Sequence, residues 1–363
     1  MSEVHTVDAV LFGLLVFSGI LGNMLVIHVV FQSSFESPSR RLPLSDTILV
    51  HLSLANLLTS LFRTLPIFIS DLGLDVSLSP GWCRVFMLLW MWSRAVGCWM
   101  TLTLSVFHLT TLRRQRVTFG PLTLQRERRR VWIVMGLVWG ANLAFSAPAL
   151  VYTSHVRGNA TVELMVIRCT IRPLLGCVWK FPSIQEGSAF ASTSLAVNEV
   201  LPLMLMVFTN LGTLQALIKH IRAVTSGTEL GGSQGELDKH VSSERKAAHV
   251  IMALVTLFVV CWVLQVAAVT YYNYDRGRHA HGLLTVAHFS ASLFVGFSPL
   301  VVALGHGKLR RKIKGMIQVW TKGLQCYTEE CGDRSKSTKT ERKSTGSVVK
   351  REVGVITVEG KVQ

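Results

Sequence analysis

Apolar residues along the chain gather into seven runs, at 7–31, 46–70, 83–112, 131–152, 191–221, 247–272 and 282–305, separated by stretches where Arg, Lys, Gly, Ser and Pro concentrate. Between Ala9 and Phe31 the only polar side chains beyond serine are Asn23 and His28. That length crosses roughly 30 Å of hydrocarbon as a helix. A strand isolated in lipid leaves its backbone polar groups unsatisfied, so each run predicts a transmembrane helix. The pattern therefore predicts an all-α membrane protein. Its architecture is a seven-helix bundle occupying residues 1–315, followed by a tail at 316–363.

The loops orient the bundle. Arg113, Arg114, Arg116, Arg126, Arg128, Arg129 and Arg130 crowd the connection between the third and fourth runs, whereas the segment before the first run and the loop at 71–82 carry no Lys or Arg. The excess of positive charge marks the cytoplasmic side, so the N-terminus is expected outside. Asn159-Ala160-Thr161, a glycosylation sequon, then falls on the luminal side. After Gly305, the basic and apolar residues of 308–317 suit a short amphipathic helix on the inner leaflet, and the Ser/Thr/Lys tail beyond Tyr327 is expected to be disordered. The first run is too long for a signal-peptide core and lacks a basic segment before it, so it is expected to remain as an anchor.

Composition narrows the class. Half of the 363 residues are apolar and 16% are charged, with a formal charge of +16. The basic residues lie between apolar runs and in the tail rather than along one folded face, which argues for membrane contact and against nucleic acid. The seven cysteines, Cys83, Cys98, Cys169, Cys177, Cys261, Cys326 and Cys331, have no metal-site spacing. There is no Gly-rich phosphate loop, no His-Glu-x-x-His, no nucleophile motif and no lysine in the last run for a Schiff base, so neither an enzyme nor a bound cofactor is expected.

Short motifs carry a family resemblance. Gly22-Asn23 and Leu52-Ser53-Leu54-Ala55-Asn56 resemble rhodopsin-like signatures, with Asn56 where an aspartate is usual. Ser105-Val106-Phe107-His108 stands at the usual Asp-Arg-Tyr site, with His108 at the arginine position. Cys261-Trp262 is followed by Leu264 at an expected proline, and Phe297-Ser298-Pro299 keeps only the proline of Asn-Pro-x-x-Tyr. Together with His51-Leu52, Arg63-Thr64-Leu65-Pro66 and Ser93-Arg94-Ala95, this set resembles the vomeronasal type 1 receptors, within them the olfactory class-A-related receptors of fish, from about Gly22 to Arg311.

The resemblance implies a G-protein-coupled chemoreceptor for a pheromone or odorant, an organic acid among the candidates, in the plasma membrane of a sensory neuron. It implies a disulfide from Cys83 to the second outer loop, with Cys177 the first choice. Cys169 is the alternative partner, or Cys169 and Cys177 pair together. The same architecture puts Trp90, Met91, Phe294 and Phe297 toward the interior as apolar walls, and gives Trp262 the look of an activation element. His108, Arg113 and Arg114 would bound the surface that meets a heterotrimeric G protein, the arginines also serving topology and phospholipid contact. Cys326 and Cys331 are candidate palmitoylation sites.

Intramembrane charges are the sharper signal, since burial requires a partner, water or a ligand. At about 1.5 Å per residue, Arg94 and Glu199 fall at similar depths, roughly 13 to 17 Å below the outer face. They either form a pocket in which Arg94 receives an anionic or strongly hydrogen-bonding group, or a permanent pair that fixes helix packing. Arg63 and His288 lie in the same half, Arg63 close enough to a helix end to extend to the headgroups instead. Two other readings remain open. A bitter-taste-type receptor also lacks the full Asp-Arg-Tyr triplet, although Cys83 argues against it. A small-solute transporter or channel would also bury charges, although the chain lacks inverted repeats.

Overall fold

The computed structural model describes residues 3–36, 42–74, 76–114, 121–155, 175–227, 249–250, 252–268 and 280–305, with 310, 311, 314, 315 and 318 beyond them. The chain forms two units, Met1–Leu309 and Arg310–Gln363. In the second, the five described residues are helical.

The first unit is a helical bundle. Helix α1 is Glu3–Phe35. Helix α2 runs Leu44–Thr59, opens into a π-helical turn at Ser60–Thr64 and resumes over Leu65–Asp71. Helix α3 is Pro80–Arg114, and α4 is Pro121–Ser146 with a further turn at Ala149–Tyr152. Helix α5 runs Ile184–Leu195, widens at Ala196–Val200 and continues over Leu201–Gly227. Helix α6 is Met252–Ala268 and α7 is Ala280–Gly305. Five of these helices are long and apolar enough among the described residues to cross a membrane, and α6 and α7 contribute shorter apolar stretches.

Both π turns have the same local cause. Each ends two residues before a proline, Pro66 in α2 and Pro202 in α5. A proline inside a helix has no N–H to donate, and its ring crowds the carbonyl four residues earlier. The chain relieves that clash by admitting one extra residue, which turns the following side chains by about 100°. Arg63 and Glu199 occupy the fourth position of their respective turns.

Helix α3 is central, packing on α2, α4 and α5, while α1 packs on α2 and α7. Apolar attraction between helices is weak in lipid, so close approach and hydrogen bonds hold the bundle. A Cβ on Gly22 would sit 2.9 Å from Pro299 of α7, so glycine is what allows α1 and α7 to touch there. Asn23 Nδ2 donates to the Gly19 carbonyl at 2.7 Å and to the Val295 carbonyl at 3.3 Å, and Ser18 Oγ donates to the Gly296 carbonyl. Asn56 Nδ2 donates to Ser298 Oγ at 3.0 Å, tying α2 to α7, and Ser105 Oγ meets Thr209 Oγ1 at 2.7 Å, tying α3 to α5. Trp92 Nε1 donates to the Trp139 carbonyl, joining α3 to α4.

A hairpin closes one end. Strand β1 (Thr153–His155) pairs antiparallel with β2 (Cys177–Trp179), Ser154 opposite Val178. The chain enters β2 through Leu175 and Gly176, both at positive φ. That conformation suits the glycine. A core cluster beneath the hairpin gathers Phe12, Val16, Ile67, Phe86, Met87, Trp90, Met91 and Trp179.

Candidate functional site

Just inside the hairpin end, four polar side chains from four helices meet. Arg94 of α3 and Glu199 of α5 form an ion pair, their side chains 21% and 13% exposed. Guanidinium groups can only donate, so the Gln265 amide of α6 must turn its oxygen toward them. It then accepts from Arg63 Nη2 at 2.9 Å and from Arg94 Nη2 at 3.2 Å. Arg63 reaches this oxygen from α2, so it points into the bundle and not outward to the headgroups. The two π turns set the phase that brings Arg63 and Glu199 inward.

Two guanidiniums and one carboxylate leave the cluster with a formal charge of +1. Among the described residues, no protein group meets Arg63 Nε, Glu199 Oε2 or Trp90 Nε1, although all three atoms are buried from solvent. Unsatisfied donors and acceptors of this kind are costly and infrequent in native interiors. With the excess positive charge, the two unmet donors suit a guest carrying an acceptor, and Glu199 Oε2 suits a donor on the same guest.

Aromatic rings roof the site. Cys83 at the start of α3 is bonded to Cys177 of β2, with 5.3 Å between their Cα atoms. The bond settles the choice of partner in favour of Cys177 and holds the hairpin over the bundle. Tyr152 stacks on Phe181 with centroids 5.0 Å apart, and Trp179 stacks on Phe181 at 5.6 Å. Phe190 of α5 packs against Phe145, Trp179 and Phe181.

Comparison with known proteins fixes the class. Residues 22–301 match the model of the 7 transmembrane receptor (rhodopsin family). The chain belongs to that family. The receptor is 75% identical over 318 residues, 88% of its own chain and 92% of the relative, to the olfactory receptor class A-like protein 4 of Danio rerio. It is 24% identical over 269 residues to the tachykinin-like peptides receptor 86C of Drosophila melanogaster, covering 48% of that protein. It is 22% identical over 265 residues to the human neuropeptide Y receptor type 2, covering 62% of that protein. It is therefore a multi-pass membrane receptor and not an enzyme, and the transporter reading falls.

Other expected positions distribute around the receptor. Trp90 and Met91 are buried in the cluster under the hairpin, and Phe294 is buried edge-on to Phe258 of α6 at 4.8 Å. Phe297 is a correction: at 41% exposed it lies on the outer face of α7 and lines no interior wall. His288 lies on α7 beside Phe289, whose ring meets Phe12, but its own side chain is outside the described residues. At the opposite end of α3, His108 is half-buried, Arg113 lies against Gly212 of α5, and Arg114 closes the helix. Asn159, Cys169, Cys326 and Cys331 fall outside the described residues. Trp132 and Trp139 pack edge-on to His51, and Trp99 lies on a second cluster with Cys98, Leu102, Met206 and Val255.

Gln265 is the member that sequence reading missed. It is uncharged in an apolar run, so only its neighbours reveal it. A recoverable signal does exist for the other two sites, since Arg63-Thr64-Leu65-Pro66 and Glu199-Val200-Leu201-Pro202 share a charged residue three before proline.

Proposed function

We propose that this receptor is a chemosensory receptor whose small-molecule ligand enters beneath the hairpin and engages Arg63, Arg94 and Glu199. The observation that carries the reading is the inward-facing Arg63, Arg94 and Glu199 set, with its formal charge of +1. Such a site favours an acidic or strongly accepting group on the ligand, a planar carboxylate being matched by two guanidinium forks. Trp90, Met91 and Phe294 supply apolar surface for the remainder. The fish relative bears an olfactory name, which supports an olfactory or pheromone role in a sensory neuron for this chain.

Ligand binding shifts a resting–active equilibrium by its differential affinity for the two states. A heterotrimeric G protein then docks at the end marked by His108, Arg113 and Arg114. The test is a panel of small organic acids, their amides and matching amines on surface-expressed receptor with co-expressed G protein. Acids evoke G-protein-dependent calcium signals, and Arg94→Gln at equal surface density abolishes them. An unchanged response at Arg94→Gln refutes the binding role and leaves the Arg94–Glu199 pair as a structural tie.

A further inference from the structure

Resting on that reading of the cluster, the geometry points to Gln265 as a built-in substitute for the ligand's acceptor: we infer that its carboxamide occupies the donors of Arg63 and Arg94 in the resting receptor, and that an incoming carboxylate displaces it and frees α6. A carboxamide and a carboxylate are planar groups of the same size. The amide presents a single neutral oxygen to both guanidiniums, at 2.9 Å and 3.2 Å. A carboxylate presents two charged oxygens to the same forks, which adds bidentate geometry and direct ion-pair attraction to what the guanidiniums give a neutral oxygen.

What makes the exchange consequential is where Gln265 sits. Its helix, Met252–Ala268, has no charged residue, so this amide is its link to the charged cluster. Elsewhere the described helix packs mainly through apolar contacts, Val255 against Cys98 and Met206 of α3 and α5, and Phe258 against Phe294 of α7, with one weak hydrogen bond between the Cys261 thiol and the Phe294 backbone. Apolar contacts of this kind can slide in lipid with little penalty, whereas an oxygen held by two guanidiniums fixes position. Trp262 lies on the same helix, about one turn away. Gln265 therefore acts as a positioning residue: it sets how strongly α6 is held and how steeply the receptor prefers a charged acceptor over a neutral one.

Three variants at matched surface density test this, with ligand-independent G-protein signalling as the first readout. Gln265→Leu removes the acceptor at similar volume and raises basal signalling, and Gln265→Asn, too short to span the gap, raises it too. Gln265→Glu strengthens the hold by placing a negative charge on the acceptor, lowers basal signalling and raises the half-maximal concentration of a probe monocarboxylate, hexanoate or benzoate, about tenfold. A packing role alone would shift Leu and Glu in the same direction, and that result overturns the inference. Opposite basal shifts in a receptor indifferent to monocarboxylates would support the tether while removing the acidic ligand. A carboxylate response abolished by Arg94→Gln but unaltered by all three Gln265 variants would keep the site and reject the tether.

Discussion

Removing the negative member of the cluster exposes how its charges are balanced. In Glu199→Gln the two guanidiniums lose their carboxylate, and Gln265 remains as a shared neutral acceptor. Deleting one partner of a buried pair costs about 3 to 5 kcal/mol because a charge is left uncompensated. Gln265 still accepts from both arginines and the pair retains some exposure, which places the expected loss near the lower bound, at about 3 kcal/mol. In a chain of this size that corresponds to a fall of roughly 5 to 10 °C in the thermal midpoint of detergent-solubilised receptor. Arg94→Gln relieves the excess charge and costs less. The double variant, with no charge left unpaired between the two positions, costs clearly less than the sum of the singles. The assay is thermal unfolding of purified receptor, read by intrinsic fluorescence, with all four proteins in one detergent. Additive single and double effects would show that Arg94 and Glu199 are energetically independent and refute the pairing.

Three further outcomes are expected. Cys83→Ser and Cys177→Ser should each lower surface delivery equally, with the double variant no worse than either, while Cys98→Ser and Cys261→Ser leave it unchanged, as flow cytometry on intact cells would show. Gly22→Val should cost about 1 to 3 kcal/mol by overpacking against Pro299, whereas Gly136→Ala, where a Cβ meets nothing within 4 Å, should change the thermal midpoint little. Phe294→Ala should cost about 3 kcal/mol by cavity formation, while Phe297→Ala, on the outer face, should fall within about 0.5 kcal/mol of the parent.

The helices were legible in the sequence because lipid leaves a spanning segment little choice but helix, and loop charge then assigns the two ends. Arg94 and Glu199 were legible as a pair because charge is rare at that depth and the rise per residue puts them level. The inward turn of Arg63 was not, since near a helix end the same residue can extend to the headgroups. Its direction depends on the π turn before Pro66, a local widening that hydrophobic pattern does not register. Phe294 and Phe297 lie about 60° apart around the helix, too little for periodicity to say which one faces the interior. The choice of Cys177 over Cys169 needed the resemblance, because nothing in cysteine spacing prefers one over the other. Asn56 and His108, where the family's usual residues differ, show what replaces them only in part. Asn56 bonds Ser298 directly, linking α2 to α7 without a carboxylate.

The central claim is that Arg63, Arg94 and Glu199 form the ligand's polar anchor. A cryo-electron microscopy structure of the receptor with an activating carboxylate and its G protein tests it most directly. The account predicts carboxylate oxygens within about 3.2 Å of the Arg63 or Arg94 guanidinium, beneath the Cys83–Cys177 hairpin, with the Gln265 amide displaced. Ligand density elsewhere, with the Arg94–Glu199 pair and the Gln265 bridge intact, would contradict it.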